Sequence, residues 1–333
     1  MRSLTKERRE LIEALVAEAN IGDITASLLE KDEHLTAALE AIFELKFTHA
    51  SLVFCGGSSL SKAHGIIERM SEDADIKVVL SEDTASWSKA QLRRYLGDEI
   101  RQNVVEAMEH CGFIEDVSLK LSLNDNRYIH TQWTYQRTYD GVTALRPNLQ
   151  IELIVRSPSL TTETASIGTL ADKLAGRQAP TLAVPVITVA ETLAEKVLSF
   201  LRRASQLQIS QMQRHWDETL IRHVYDVHCI LLQEPQAQDA SIAVFPSLTA
   251  GDTREFGYQD PIFSRDPRGA LARALDQINS DSSQSRAEYN RVLLPLIYGD
   301  AKFSFDEAWL TFNQVARQLI DTLKPSFTHP AQH

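Results

Sequence analysis

Cysteine is scarce in this sequence: Cys55, Cys111 and Cys229 are the only three, and no two stand in a C-x-x-C spacing. That excludes a disulfide-built framework and the common thiolate zinc sites, and it fits a reducing compartment. Long apolar runs are missing too, since none approaches the ~18 consecutive apolar residues that a bilayer span needs. The opening stretch, MRSLTKERRELIEAL, is charged and amphipathic and has no signal-peptide apolar core, so the chain reads as cytoplasmic with no membrane attachment. Cations are in deficit, with 34 Lys and Arg against 45 Asp and Glu and a net charge of −11. A surface of that sign does not bind nucleic acid through bulk electrostatics, so any RNA or DNA contact must be local. There is no internal repeat.

What is present is an ordinary globular composition, 43% hydrophobic and 24% charged, over 333 residues. That length suits two domains better than one. Apolar residues at helical spacing predict helices over 3–17 and 23–45. A short apolar run, 51–55, then meets Gly56 and Gly57, with a helix predicted over 60–69 and a strand over 76–80. A long helix is expected over 87–111, followed by strands at 114–123, 128–139 and 149–155. Prolines near residue 180 suggest a domain boundary there, dividing 1–180 from 181–333. Beyond it the pattern is helical: 189–204 with Thr188 as N-cap and Glu191 as its capping-box partner, 216–232, 268–278, 286–297 and 305–323. Residues 233–260 read as an irregular polar loop.

The chemistry concentrates in FCGGSSLSKAHGIIERMSEDADIKVVL, residues 54–80. A Gly-Gly-Ser turn between strand and helix presents backbone N–H groups where a phosphate is favoured. Asp73 and Asp75, two apart on an extended segment, share one face. Like charges so close call for a cation between them, and oxygen-only donors suit Mg²⁺ or Mn²⁺. The plainer alternative is a solvated acidic turn. Glu152, in the otherwise apolar NLQIELIVR, is a lone carboxylate that a buried strand would not tolerate unpaired, and it is the natural third ligand. Its plainer reading is an edge-strand residue facing water.

Further along, Thr192, Lys196, Ser199 and Arg203 fall on one helical face, a cationic patch able to contact phosphates or else a solvated face. Arg222 and Asp226, at i and i+4, read as a surface pair when taken alone. His215, His223, His228 and Cys229 match no standard zinc spacing. Tyr128, Trp133, Tyr135 and Tyr139 read as sheet packing.

Together these residues resemble the nucleotidyltransferase superfamily, and within it the AbiEii/AbiGii toxin family. GGSSLSKAHGIIERMSEDADI resembles that family's Gly-Gly-Thr/Ser turn, helix and Arg-x-Ser-x-Asp-x-Asp; ETLAEKVLSFLRRA resembles its lysine- and arginine-bearing second motif; IRHVYDVHCIL resembles its Arg-x-x-Tyr-Asp-Leu third motif. The departures are Ser58 for the usual Thr, His223 for the usual aspartate before the tyrosine, and a glutamate as third carboxylate. The resemblance implies an α+β fold, with a mixed-sheet nucleotidyltransferase domain and a helical C-terminal domain that completes the nucleotide site. It implies transfer of a nucleotide from an NTP, with loss of pyrophosphate, onto an acceptor hydroxyl. Asp73, Asp75 and Glu152 would hold the metal, with Asp226 also catalytic, while Gly57, Ser58, Lys196 and Arg203 would hold the NTP. Arg69 would fix the acidic loop. The expected partners are an RNA acceptor such as the tRNA 3′ end and a cognate antitoxin. A small-molecule nucleotidyltransferase of the aminoglycoside-resistance kind, or a non-enzymatic nucleotide-binding protein, are the rival readings.

Overall fold

The computed structural model describes residues 1–18, 24–141, 145–178, 181–209, 216–299 and 302–324. The chain divides into two units: Met1–Ile187 with Leu296–Ala301, and Thr188–Pro295 with Lys302–His333.

The first unit opens on α1 (Lys6–Ala17) and α2 (Ala26–Phe43), each N-capped by a threonine, Thr5 and Thr25, whose hydroxyl accepts a first-turn N–H. Strand β1 (Ala50–Cys55) runs directly into α3 (Gly56–Lys62), and β2 (Asp73–Leu80) returns antiparallel to β1. The helical turn therefore starts at Gly56, ahead of the segment predicted over 60–69, and ends early because Gly65 takes a left-handed φ of 67°.

A continuous helical stretch follows: α4 (Lys89–Arg94), a π-type segment Tyr95–Arg101, and α5 (Gln102–His110). The strand predicted over 114–123 is instead two short pieces, β3 (Ile114–Glu115) and β4 (Leu121–Leu123). A 3₁₀ turn interrupts them where the Asp116 side chain accepts the Ser118 N–H. After β5 (Tyr128–Thr134) and β6 (Leu149–Val155) come β7 (Glu163–Ile167), α6 (Leu170–Leu174) and β8 (Leu182–Val186).

The eight strands form one mixed sheet in the order β3-β5-β6-β2-β1-β8-β7, with β4 added on β5. Pairings β2/β6 and β1/β8 are parallel, and the others antiparallel. Burial alternates along β5, over most of β6 and at the start of β2. Ala74, Ile76, Ile129, Trp133, Ile151 and Leu153 point into a core shared with α2 and α5, through Leu35, Leu39, Ile42, Val104 and Met108. The opposite face carries the half-buried polar residues Asp73, Asp75, Gln150, Glu152, His130 and Gln132. Period-2 patterning with one apolar face is what a sheet covered on one side requires.

The second unit is helical: α7 (Val189–Ile209), α8 (Arg222–Gln233), α9 (Ala237–Phe256), α10 (Pro261–Arg265), α11 (Pro267–Ser280), α12 (Ser283–Glu288) and α13 (Phe305–Asp321). Thr188 Oγ1 accepts the Glu191 N–H at 3.2 Å, the cap expected from sequence. The loop expected over 233–260 is for the most part the 20-residue helix α9, which carries Pro246 inside it. Its buried stripe runs Ala237, Ser241, Val244, Phe245, Leu248, Thr249, Asp252, at helical spacing but with polar members. Ser241 hydrogen-bonds the Ala190 carbonyl and Asp252 pairs with Arg202, so polar residues are buried there with partners.

The mixed sheet with C-terminal helices is the α+β architecture expected from the sequence. No helix among the described residues is long and apolar enough to cross a membrane.

Candidate active site

The strand β2 begins at Asp73, so Asp73 and Asp75 stand on the same, half-buried face of the sheet. Strand β6 lies inside the sheet, between β2 and β5, rather than at its edge. Its register sets Glu152 directly across from Asp75, and Gln150 across from Asp73. Strand β5 extends both rungs, with His130 opposite Glu152 and Gln132 opposite Gln150. Two polar rungs result, Asp73–Gln150–Gln132 and Asp75–Glu152–His130, on a face whose alternate residues fill the core.

The turn between β1 and α3 closes on this face. Cys55 pairs with Asp75 in the β1/β2 register, and Gly56 follows with φ of 76°. A β-carbon at Gly56 would fall 1.9 Å from Asp75 Oδ2, so only glycine lets the backbone approach this carboxylate. A β-carbon at Gly57 would sit 2.8 Å from Arg69 Nη2 and 3.0 Å from Ser71 Oγ. Arg69 is buried and donates to the Met70 carbonyl at 3.1 Å, and its segment bridges Ile297 in the same unit. Ser58 is fully buried, and its hydroxyl has no hydrogen-bond partner among the described residues. Such an orphan costs about 1–3 kcal/mol, which a ligand oxygen would offset.

Two cations shape the site that the sequence did not single out. Arg146 Nη1 donates to Asp73 Oδ1 at 2.8 Å and to Gln150 Oε1 at 2.5 Å, while its backbone N–H donates to Glu72 Oε1 at 2.5 Å. Lys31 of α2 is wholly buried, with Nζ 3.3 Å from Glu72 Oε1, 2.7 Å from the Arg146 carbonyl and 2.8 Å from the Asn148 carbonyl. Burial pulls the lysine pKa down, and Glu72 and Asp73 oppose that. The ammonium thus clamps the acidic segment to the loop entering β6. Neither residue has a local sequence signal, because their partners lie 41 and 73 positions away.

The oxygen-only donor set fits a hard divalent cation in chemistry and in strand placement. The carboxylate heads do not converge as they stand. Asp73 is turned to Arg146, and Glu152 has His130 Nδ1 3.5 Å away. Among the described residues no three His, Cys, Asp or Glu side chains form a metal-holding group.

The remaining expected residues belong to the helical unit. Lys196 and Asp226 form an ion pair of 2.6 Å with 7% and 0% of their side chains exposed. Asp226 is therefore buried rather than on the surface, and Lys196 is no solvated lysine. His223 Nδ1 donates to the Lys196 carbonyl at 3.1 Å, and burial, followed by the Lys196 charge, holds its imidazole well below the usual range. Arg203 stands outside the pair, on exposed Asp217 at 3.0 Å. Arg202 is buried on Asp252 at 2.9 Å and lies 4.0 Å over the Phe256 ring. Of the histidine cluster, His228 contacts Thr311 Oγ1 at 2.8 Å, and His215 lies outside the described residues.

A family model described as nucleotidyl transferase AbiEii toxin, type IV TA system, matches residues 37–311. Among solved structures, MenT4, a nucleotidyltransferase toxin from Mycobacterium tuberculosis H37Rv, aligns at 18% identity and a TM-score of 0.44, over 97% of this chain and 100% of that one. JHP933 from Helicobacter pylori aligns at 12% identity and a TM-score of 0.36, over 96% and 95%. No curated protein matches the sequence.

Proposed function

The chain belongs to the AbiEii nucleotidyltransferase toxin family of type IV toxin–antitoxin systems, and on that premise we propose that it transfers a nucleotide from an NTP to an RNA 3′ end, such as that of tRNA, in the cytoplasm. The observation that carries the site assignment is the rung Asp75–Glu152 with Gly56 packed against Asp75. Two carboxylates at one rung spacing, beside a glycine turn with an orphan hydroxyl, suit a triphosphate better than a solvated acidic turn.

In this reading Asp73, Asp75 and Glu152 would hold Mg²⁺ or Mn²⁺, which when bound neutralises charge on the triphosphate. Gly57 and Ser58 bind the β- and γ-phosphates through backbone N–H and hydroxyl. Glu152 takes the proton of the attacking hydroxyl, the new O–Pα bond forms, and pyrophosphate departs. Arg69, under Gly57, and Lys31, on Glu72, keep the turn and the acidic segment in place. The second and third family motifs bring in Lys196 for charge developing on pyrophosphate, Asp226 as its buried counter-ion, and Arg203 as a further phosphate contact.

The test is incubation of the protein and Mg²⁺ with each labelled NTP, with total tRNA or with an aminoglycoside. Label on tRNA supports the reading, and label on the aminoglycoside alone overturns the acceptor assignment.

A further inference from the structure

The polar face continues past Glu152 onto β5, and nothing in the chemistry above uses that continuation. Along β5 burial alternates, with Ile129, Thr131 and Trp133 in the core and His130 and Gln132 on the face of the carboxylates. The two form the outer ends of the two rungs. They also form a directed chain. Asn148 Nδ2 donates to Gln132 Oε1 at 2.6 Å, which leaves the Gln132 amide nitrogen facing His130 Nε2 at 3.3 Å. An amide nitrogen only donates, so Nε2 accepts and the neutral ring carries its proton on Nδ1, 3.5 Å from Glu152 Oε1. The tautomer is thereby set with an N–H directed at the carboxylate's side of the rung.

The order of strands then assigns a direction. Across the sheet the sequence is β1 with its glycine turn, β2 with the aspartates, β6 with Glu152, and β5 with His130 and Gln132. Strands are about 4.8 Å apart, so β5 lies roughly 10 Å from β2. In phosphoryl transfer the attacking and leaving oxygens are roughly in line. If pyrophosphate leaves toward the β1 turn, the attacking hydroxyl arrives from the β6–β5 side. There the β5 groups are an imidazole and an amide, both able to hydrogen-bond hydroxyls.

We propose that His130 and Gln132 form the acceptor subsite and hold the terminal ribose of an RNA 3′ end beside Glu152. This rests on the RNA reading above. His130 Nδ1–H donates to the 2′-hydroxyl oxygen, and the vicinal 3′-hydroxyl gives its proton to Glu152 as its oxygen bonds to Pα and pyrophosphate leaves. Gln132 fixes the tautomer.

The experiment compares two short RNA acceptors that differ only in a terminal ribose or 2′-deoxyribose, with wild type, His130→Ala and Gln132→Ala. Affinity for a non-hydrolysable α,β-methylene NTP and thermal melting are measured alongside. Wild type is expected to prefer the ribose end. His130→Ala is expected to raise KM for the ribose acceptor about tenfold and to erase the preference, with NTP affinity and melting unchanged, and Gln132→Ala to follow in the same direction by less. Retained ribose preference in His130→Ala, or an equal fall in NTP affinity, overturns the subsite. Wild-type transfer to neither RNA refutes the RNA reading itself, and the subsite with it.

Discussion

Lys196 shows how far a single residue's burial alters its meaning. From spacing alone it is a helix-face lysine, and its removal should cost folding little. With Asp226 wholly buried at 2.6 Å, Lys196→Ala would remove the cationic member of a buried ion pair. The expected loss is about 3–5 kcal/mol in denaturant unfolding. Lys196→Met combined with Asp226→Leu should recover much of it, because neither member of this pair is then buried without the other. A Lys196→Ala protein as stable as wild type would contradict the pair. On the proposed active face, by contrast, the carboxylates could be singled out from sequence, since Gly-Gly-Ser, Asp-x-Asp and Glu152 are local patterns. Arg146, Lys31 and His130 were not legible, because each acts through a partner that only the sheet register or the α2 packing supplies.

Among elements, strongly periodic segments were readable: α1, α2, β1, β6 and α13 fall close to where apolar spacing predicts them. The failures have physical causes. Helix α9 hides behind Pro246 and a buried stripe containing Ser241 and Asp252, whose partners lie on α7. The strand predicted over 114–123 is broken by the Asp116 cap. Helix α2 carries a testable burden in His34, which is buried against Tyr135 at a ring distance of 4.0 Å and has no hydrogen bond on either ring nitrogen among the described residues. Burial first, and the Arg2 charge second, lower its pKa to about 3. The unfolded chain takes up that proton below about 6.5 while the native state does not. Stability from this residue is therefore full above pH 6.5 and falls as pH drops toward 3, by about 1.4 kcal/mol per unit. His34→Phe should flatten the pH dependence of the unfolding midpoint between pH 6.5 and 4. An unchanged slope would show that His34 is not its source.

For the whole molecule the tension lies between a net charge of −11 and a polyanionic acceptor. The cations near the family motifs are largely committed within the protein. Lys62 is on Asp32, Lys196 on Asp226, Arg202 on Asp252 and Arg203 on Asp217. Arg69 and Lys77 are buried, and Arg214 lies outside the described residues. Few phosphates can then be neutralised, so the slope of log affinity against log salt for RNA should be roughly −2 to −4, at about −0.7 to −0.9 per phosphate. A slope steeper than about −6 would contradict recognition of a short 3′ end.

The central claim is that the Asp75–Glu152 rung carries the transfer, and single-turnover pyrophosphate release tests it most directly. Asp75→Asn and Glu152→Gln keep the shape of each side chain, so melting temperatures should stay within a few degrees of wild type. Release with Mg²⁺, NTP and tRNA should fall by about 10²-fold or more in each variant, the scale on which removing one electrostatic or proton-transfer group acts. Folded variants that release pyrophosphate at the wild-type rate would contradict the account.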